Sequence, residues 1–418
     1  MRDNRANCAA TPLFRDRGLA SLRRADDGSL ILDKGLVPSK TRRIRVRVKI
    51  NDKVTGTSNP VKSASSDDES IEGRILQARD TLFEEELFYE LVREARILGP
   101  YGVTTRHNLI RFPVSEEQEV MLDLADADQE SDEATDESHE HDVLADSIGH
   151  SIRILLTFAH RQNLYRRTQP PPPLSQRRRH TPEYLLLRPV LVYLQHNSHV
   201  RWFESLLKDM YQVLKSAGVG CDYTATPFAS VDLQHKTRFP KVEALIHAFF
   251  APLESTFSGT LVTPKSSFKG RIRTNVLGHP FGTNHEIFMN MPHHSDIQAP
   301  ARMGLGDEAA AVLTHFIMLD VVSAISLHRP QGCLAWEAAY PHHGELLTTS
   351  PTTGEQKKKM KVTLARNEMT VQVSGVRGAG VDGSQTWKSD QTQPQPSLME
   401  FVADVSKESP LCRWPVFR

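Results

Sequence analysis

The longest regular pattern of apolar positions begins at Ile71 and ends at Leu98. Apolar residues recur there at intervals of three to five positions: Ile71, Ile75, Ala78, Leu82, Leu87, Leu91, Ala95 and Leu98. This spacing lays an apolar stripe along one side of an α-helix roughly 40 Å long. Ser66 with Glu69 forms a capping-box pattern before it, and Gly99-Pro100 ends it. The pattern predicts a long structural helix and no catalytic loop.

Two phenylalanines, Phe83 and Phe88, widen the stripe, so we expect this helix to pack against more than one neighbour. The remaining side carries charged residues: Glu84, Glu85, Arg93, Glu94 and Arg96. We expect that side to face solvent, and the alternative is a side reserved for a partner protein. The consecutive carboxylates of Glu84, Glu85 and Glu86 fan out around a helix, so they do not converge as an acid–base pair.

A strand with two unlike faces precedes this helix. Apolar and basic residues alternate strictly in it: Ile44, Val46, Val48 and Ile50 against Arg43, Arg45, Arg47 and Lys49. The alternation predicts one buried face and one cationic face. The basic face of the Arg43–Lys49 strand could contact phosphates, although half-buried edge strands commonly carry Lys and Arg only to prevent aggregation.

Helical periodicity returns after an acidic run from Asp123 to Asp142, in which ten of twenty residues are Asp or Glu. We expect this run to be a solvated loop, and docking of a basic partner is the alternative. A second long helix is predicted from Val143 to Arg167. Four prolines, Pro170 to Pro173, follow it and prevent the helix from continuing. The basic run Arg177–Arg179 follows the prolines. Such a run is typical of a solvated loop or of a nucleic-acid patch.

Further helices and strands are predicted from periods near 3.6 and 2. Predicted helices run from Pro182 to Leu194 with a kink at Pro189, from Ser198 to Ala217, from Val242 to Phe250 and from Asp307 to Leu327. Predicted strands are His107 to Phe112, Glu119 to Leu124, Phe268 to Leu277, Asn284 to Asn290, Leu334 to Ala339, Lys361 to Leu364, Met369 to Val376 and Leu398 to Val405.

These elements predict an α+β fold, with long helices in the N-terminal half and mixed helices and antiparallel strands in the C-terminal half. We expect three regions. Residues 1–66 form an irregular segment with short strands, residues 67–220 a long-helix scaffold with acidic and Pro/Arg-rich loops, and residues 221–418 a C-terminal α+β domain.

The composition argues against several classes of function. The chain has 51 basic and 51 acidic residues, so its overall charge gives no reason to expect nucleic-acid or membrane binding. Its four cysteines, Cys8, Cys221, Cys333 and Cys412, form no C-x-x-C pair, and a reducing compartment fits them best. The N-terminus has no apolar core of a signal peptide, which argues against secretion. The apolar stretch near Ala311 to Leu327 is interrupted by His315 and Asp320, so we expect no membrane span.

Two patterns invite chemical hypotheses, and both are weak. Histidine pairs occur at His293-His294, His342-His343 and His139-x-His141, but adjacent histidines on a strand point to opposite faces and no H-E-x-x-H motif accompanies them. Gly378, Gly380 and Gly383 match G-x-G-x-x-G, yet no helix follows that could bind a pyrophosphate. We therefore expect no catalytic, cofactor-binding or metal-binding residues, no cofactor and no enzymatic activity. A hydrolase or metalloenzyme built on the histidines is the remote alternative.

Several segments, in this order, resemble one known family. They are SLRRADDGSLILDKGLV from Ser21, RRIRVRVKI from Arg42, ARDTLFEEELFYELVREAR from Ala78, IRILLTFAHRQNLYRRTQPPPPLS from Ile152, LLLRPVLVYLQHNSHVRWFESLL from Leu185 and GHPFGTNHEI from Gly278. Together they are similar to the fungal form of subunit seventeen of the Mediator complex. Family members usually begin with an extended helical region before the first of these segments, and we expect this chain to lack it.

The resemblance implies a structural scaffold subunit of the Mediator head module, a nuclear transcription coregulator that links regulators to RNA polymerase II. Its partners would be other head-module subunits and, through the complex, the RNA polymerase II machinery. It implies no small-molecule substrate and no membrane, and it argues against direct DNA binding. The alternative from the residues themselves is a nucleic-acid-binding protein that uses the Arg43–Lys49 strand and the Arg177–Arg179 run.

Overall fold

The computed structural model describes residues 21–24, 26–28, 30–33, 42–59, 71–126, 139–169, 184–226, 241–277, 282–294, 302–328, 334–349, 356–375, 384–389 and 396–407. These residues form a mixed α+β structure in which every strand pairing is antiparallel. The α+β class predicted from the sequence is therefore confirmed at this level. The chain divides into two compact units, Met1–Gln195 with Thr237–Phe250, and His196–Lys236 with Ala251–Arg418.

The first unit is built around a five-stranded sheet in the order β4-β3-β7-β6-β5. Its strands are β1 (Ser21–Arg24), β2 (Leu30–Asp33), β3 (Arg42–Ile50), β4 (Lys53–Thr57), β5 (Thr104–Arg106), β6 (Leu109–Pro113) and β7 (Gln118–Asp126), of which β1 and β2 pair as a separate hairpin. Its helices are α1 (Ile71–Ile97), α2 (Asp142–Thr168), the first turns of α3 (Leu187–Ser216) and α4 (Lys241–Phe250).

The alternating pattern of β3 is confirmed. Ile44, Val46 and Val48 are buried, and the intervening arginines are half-buried. Val46 pairs with Leu122 of β7, so apolar residues of neighbouring strands face the same core as α1 and α2. Gly56 of β4 is required there, because a Cβ atom would lie 2.4 Å from the carbonyl carbon of His141, just before α2.

The second unit contains two sheets. Strands β8 (Tyr223–Thr226), β9 (Leu253–Thr260), β10 (Ser267–Asn275) and β11 (Gly282–Asn290) form one in the order β11-β10-β9-β8. Strands β12 (Trp336–Tyr340), β13 (Glu345–Thr349), β14 (Gln356–Leu364), β15 (Met369–Gly375) and β16 (Gln385–Lys388) form the other in chain order. The rest of α3, α5 (Gly306–Leu327) and α6 (Leu398–Ser406) complete the unit.

Helix α5 is long and apolar enough to cross a membrane by length and composition. Its buried residues, including Leu313, Ile317 and Val321, belong to the core that the two sheets share. Buried Asp320 on the same helix accepts the backbone N–H of Thr263 at 2.9 Å. Helix α5 is therefore the central core helix of the second unit.

Two predicted elements are wrong. Leu187–Ser216 is one helix, whereas the sequence predicted two with a kink at Pro189. Pro189 is its third residue, where a backbone N–H would have no intrahelical acceptor, so the proline breaks no hydrogen bond of the helix. The segment predicted as a strand from Leu398 to Val405 is helix α6. Ser397 and Glu400 form a capping box at its start, and that local signal outweighs the β-branched residues.

The units group the chain differently from the three predicted regions. Residues on both sides of the predicted boundary at residue 66 lie in the first unit, because β3 pairs with β7 and packs on α1 and α2. The boundary between the units falls between Gln195 and His196, within α3.

Candidate interaction surface

The charged side of α1 does not face solvent, which corrects the expectation from its sequence. Glu84, Glu85 and Glu94 are all buried, Arg93 is half-buried, and of the five predicted solvent-facing residues only Arg96 is exposed. A buried carboxylate must be paired or hydrogen-bonded, because burial otherwise costs several kcal/mol. Glu84 and Glu94 satisfy this requirement through residues far away in the sequence.

Glu94 supplies the N-terminal cap of α3. Its carboxylate accepts the backbone N–H groups of Leu186 and Leu187, each at 2.7 Å, and that of Arg188 at 3.0 Å. These are N–H groups that the helix itself leaves without acceptors. Burial raises the pKa of Glu94, while the three backbone N–H groups act in the opposite direction. One carboxylate thus fixes the start of α3 against α1.

Glu84 joins three elements. Arg153 of α2 donates to its carboxylate from Nε at 2.6 Å and from Nη2 at 3.0 Å, and the backbone N–H of Ile44 in β3 donates at 2.9 Å. Arg153 Nη2 also donates to the carbonyl oxygen of Ile44 at 3.1 Å. This bidentate pair holds α1, α2 and the sheet in one arrangement.

His160 makes a further contact between α1 and α2. His160 Nε2 of α2 lies 3.1 Å from Glu86 Oε1 of α1, and its hydrogen bond to Glu86 raises the pKa of His160. The His160 ring also contacts Phe83 edge-on, with ring centroids 6.5 Å apart. Glu84 and Glu86 thus contact different residues of α2.

Beyond this braced region, α2 leaves apolar side chains exposed. Its buried residues are confined to Ala145 through Leu156. Ile154, which is 37% exposed within this range, half-buried Phe158 and exposed Tyr165 lie at helical spacing on one side of α2, next to Leu164. Leu164 is 63% exposed and Tyr165 61% exposed. We call these four residues, Ile154, Phe158, Leu164 and Tyr165, the α2 surface.

The first turns of α1 also leave apolar side chains exposed. Ile75 is 43% exposed and Leu76 is 37% exposed, whereas Leu87, Leu91 and Leu98 are fully buried further along the helix. The α2 surface also adjoins basic residues: Arg161 lies 3.6 Å from Glu243 of α4, and Arg166 is exposed. The ends of two long helices thus carry apolar side chains that the described part of the chain does not cover.

The basic face of β3 is largely neutralised by its neighbour in the sheet. Arg45 Nη2 lies 2.7 Å from Asp123 Oδ2, and Arg47 Nε lies 3.2 Å from Asp123 Oδ1. Arg42, which alternation places on the side of Ile44, pairs with Asp126 at 3.3 Å. This pairing does not favour the nucleic-acid hypothesis, which needs free cationic groups. The Arg177–Arg179 run and the glycine motif at Gly378, Gly380 and Gly383 lie outside the described residues.

The two adjacent histidine pairs lie in 3-10 helices, Pro292–His294 and Pro341–His343. His294 Nε2 lies 2.7 Å from Ser323 Oγ, and His342 Nδ1 lies 3.3 Å from His315 Nε2. His139 uses its backbone N–H, which donates to Asp142 at 2.7 Å. Among the described residues, no three His, Cys, Asp or Glu side chains are grouped so that they could hold a metal ion.

A sheet braced by long helices, with apolar side chains left open at the helix ends, is the architecture of a protein that presents surfaces to other chains. Similarity to known proteins agrees with this class. A family profile described as Subunit 17 of Mediator complex matches residues 8–214. The chain belongs to this Mediator subunit 17 family.

Similar proteins extend the match over nearly the whole chain. Mediator of RNA polymerase II transcription subunit 17 from Aspergillus oryzae is 58% identical, over 96% of this chain and 66% of the relative. That from Aspergillus fumigatus is 58% identical, over 95% of this chain and 65% of the relative. The chain thus spans just under two thirds of the length of these relatives.

A solved structure resembles the fold. A chain in the structure of the Schizosaccharomyces pombe Mediator head module is similar with a TM-score of 0.50 and 16% sequence identity. The likeness covers 72% of this chain and 65% of that chain. At this identity the resemblance concerns the fold.

Proposed function

We propose that the chain is a structural scaffold subunit of the Mediator head module, a transcription coregulator that links regulators to RNA polymerase II. It works in the nucleus, has no enzymatic activity and needs no cofactor. Its partners are the other head-module subunits and, through the complex, the RNA polymerase II machinery. Family membership and the names of the relatives support this proposal.

The long helices of the N-terminal half carry the scaffold role in this proposal, and the mixed helices and antiparallel strands of the C-terminal half dock further subunits. In terms of the predicted regions, residues 67–220 are the scaffold, residues 221–418 the docking domain and residues 1–66 an accessory segment. No residue acts catalytically, binds a cofactor or ligates a metal.

One observation carries the proposal at the level of residues. Leu164 and Tyr165 are exposed on a helix that Glu84 and Arg153 hold rigidly at its middle. A rigid helix that presents consecutive large apolar side chains loses little conformational entropy when another helix packs on it. Burial of such side chains contributes about 25 cal/mol per Å² of apolar area.

A tagged pull-down from nuclear extract of the source organism, read by mass spectrometry, tests the proposal. We expect the unchanged chain to recover several head-module subunits in stoichiometric amounts. The double substitution Leu164→Asp with Tyr165→Asp should remove those that pack on the α2 surface. Val143→Asp is the control, because Val143 is 78% exposed at the opposite end of the same helix, and it should leave recovery unchanged.

Recovery of the chain alone would contradict the scaffold proposal. Equal recovery of every subunit by the double variant would contradict the role of the α2 surface while leaving the scaffold role standing. Circular dichroism of the double variant must match that of the unchanged chain, since both substituted side chains already face solvent.

A further inference from the structure

The sheet β8 to β11 has one face turned away from the core of the second unit. In β10, Phe268, Gly270, Ile272 and Thr274 are buried, whereas Lys269, Arg271 and Arg273 alternate with them on the opposite face. Three cationic side chains therefore stand in a row along one strand. Because like charges on the same strand face repel one another, such a row needs anions nearby.

One anion is supplied from within the chain. Glu286 of β11 is 4% exposed and lies directly across from Arg271. Arg271 Nε donates to Glu286 Oε2 at 2.7 Å, and Arg302 Nε donates to Glu286 Oε1 at 3.1 Å. Both oxygens of this carboxylate are thus used by two guanidinium groups, which are held in place by it.

A third guanidinium group remains. Arg273 Nε is buried and has no hydrogen-bond partner among the described residues. It lines a cavity of about 210 Å³ together with Asn275, Asn284, Glu286 and Arg302. A buried N–H donor without an acceptor costs free energy, so an oxyanion in this cavity would stabilise the site.

The charges leave the site positive. Arg271 and Arg302 pair with Glu286, and Arg273 lines the same cavity. Glu254, directly across from Arg273 in β9, lies 3.7 Å from Arg271 Nη1. Three positive and two negative groups therefore leave one positive charge unbalanced. The guanidinium fork and the two asparagine amides are donors suited to a carboxylate.

The same face continues into a second, larger cavity of about 520 Å³, lined in part by Lys269, Phe288 and Asn290 and, just before β8, by Asp222. Phe288 is 51% exposed, and its ring lies 5.9 Å from Arg271 Cζ. The face thus offers a carboxylate site, an apolar contact and a further cation in succession. That sequence of groups fits an extended peptide better than a single ion.

We infer that this face of the β8–β11 sheet binds an acidic segment of a partner protein, with a carboxylate seated between Arg273 and Arg302. The inference concerns a surface of the second unit and does not rest on the proposed role of the α2 surface. It adds a site for an Asp- or Glu-rich chain to a protein whose overall charge gives no sign of one.

Fluorescence anisotropy of the full chain with a labelled hexaglutamate peptide at low salt tests the inference. We expect saturable binding, no binding of labelled hexaglutamine, and loss of affinity by about tenfold or more in Arg273→Gln and in Arg302→Gln, since each removes a charge-assisted hydrogen bond. Lys388→Gln is the matched control. It removes one exposed positive charge from another sheet of the same unit, so its affinity should stay within about twofold.

The Arg302 variant keeps the test decisive if Arg273→Gln fails to fold, because the Arg302 side chain is 71% exposed. Unchanged affinity in Arg302→Gln, or equal loss in Lys388→Gln, would overturn the inference. Inorganic phosphate that binds while hexaglutamate does not would overturn it as well, since the site would then take an adventitious ion only.

Discussion

The carboxylate of Glu94 in α1 accepts the backbone N–H of Leu187, the first residue of α3, at 2.7 Å. The two residues are 93 positions apart in the chain. A residue that looks like part of a solvated helix side is therefore the cap of another helix. The scaffold of the first unit depends on such side-chain-to-backbone bonds as well as on apolar packing.

Replacing Glu94 should loosen the start of α3. We expect Glu94→Ala to lower the free energy of unfolding of the first unit by about 3 kcal/mol, because three backbone N–H groups lose a charged acceptor. Hydrogen exchange should accelerate at the amides of residues 186–188, and urea denaturation should report the loss of stability. Glu116→Ala, in an exposed loop, should change stability by less than about 0.5 kcal/mol. Unchanged exchange at residues 186–188 would show that the cap is unimportant.

The second unit should lose stability in mild acid. Burial lowers the pKa of His196 and of His285 from 6.5 to about 4, with the neighbouring His199 acting in the same direction. The unfolded chain therefore binds more protons than the folded chain between these pH values. Stability is full above pH 6.5, falls as the pH decreases towards about 4, and changes by about 3 kcal/mol for each histidine. Urea midpoints measured across this pH range check the slope.

His285 allows a control for this slope. Neither of its ring nitrogens has a hydrogen-bond partner within the described residues, and its ring packs near His199 and Phe203. His285→Leu should reduce the pH dependence and leave stability at neutral pH within about 1 kcal/mol, because a buried unsatisfied group is replaced by an apolar one. His293→Gln, at an exposed position, should keep the full slope. An undiminished slope in His285→Leu would assign the effect to other groups.

Local patterns sufficed to predict β3 and α1. The alternation around Val46 and the helical stripe from Ile71 to Leu98 repeat often enough to exceed the background of chance matches. Short strands such as β8 and β16, of four residues each, contain too few alternations to be recognised. The capping box of Ser397 and Glu400 is a readable local signal for α6, whereas the residue types of Leu398–Val405 by themselves favour a strand.

The candidate surfaces could not be predicted, because they depend on long-range pairing. Glu84 is buried only because Arg153, 69 positions away, pairs with it. Tyr165 continues a helical pattern, and nothing local indicates that its side chain is left 61% exposed. Likewise, Arg271 meets Glu286 only through the register of β10 and β11. Burial and exposure of these residues follow from tertiary packing, which periodicity does not encode.

Helix α6 should depend measurably on its cap. Ser397 Oγ accepts the backbone N–H of Glu400 at 3.3 Å, and the Glu400 carboxylate accepts the backbone N–H of Ser397 at 2.9 Å. We expect Ser397→Ala to cost about 1 kcal/mol and to speed hydrogen exchange in the first turn of the helix. Ser374→Ala, on an exposed position of β15, serves as the comparison and should leave this exchange unchanged. Equal hydrogen exchange in both variants would show that the cap does not stabilise α6.

Gly344 should tolerate no side chain. Its φ angle is +71°, and a Cβ atom built there would lie 2.1 Å from the carbonyl oxygen of Val362, whose own N–H donates to the Gly344 carbonyl at 2.8 Å. Backbone of a paired strand cannot move aside as a side chain can, so the substitution must break this hydrogen bond or shift β14. We expect Gly344→Ala to destabilise the second unit by at least about 2 kcal/mol, through the left-handed backbone conformation and the collision together. Gly304→Ala is the matched control, since its Cβ would meet nothing within 4 Å. Thermal unfolding of the two variants tests this prediction. Equal melting temperatures would mean that the backbone of β13 and β14 shifts to accommodate the added Cβ atom.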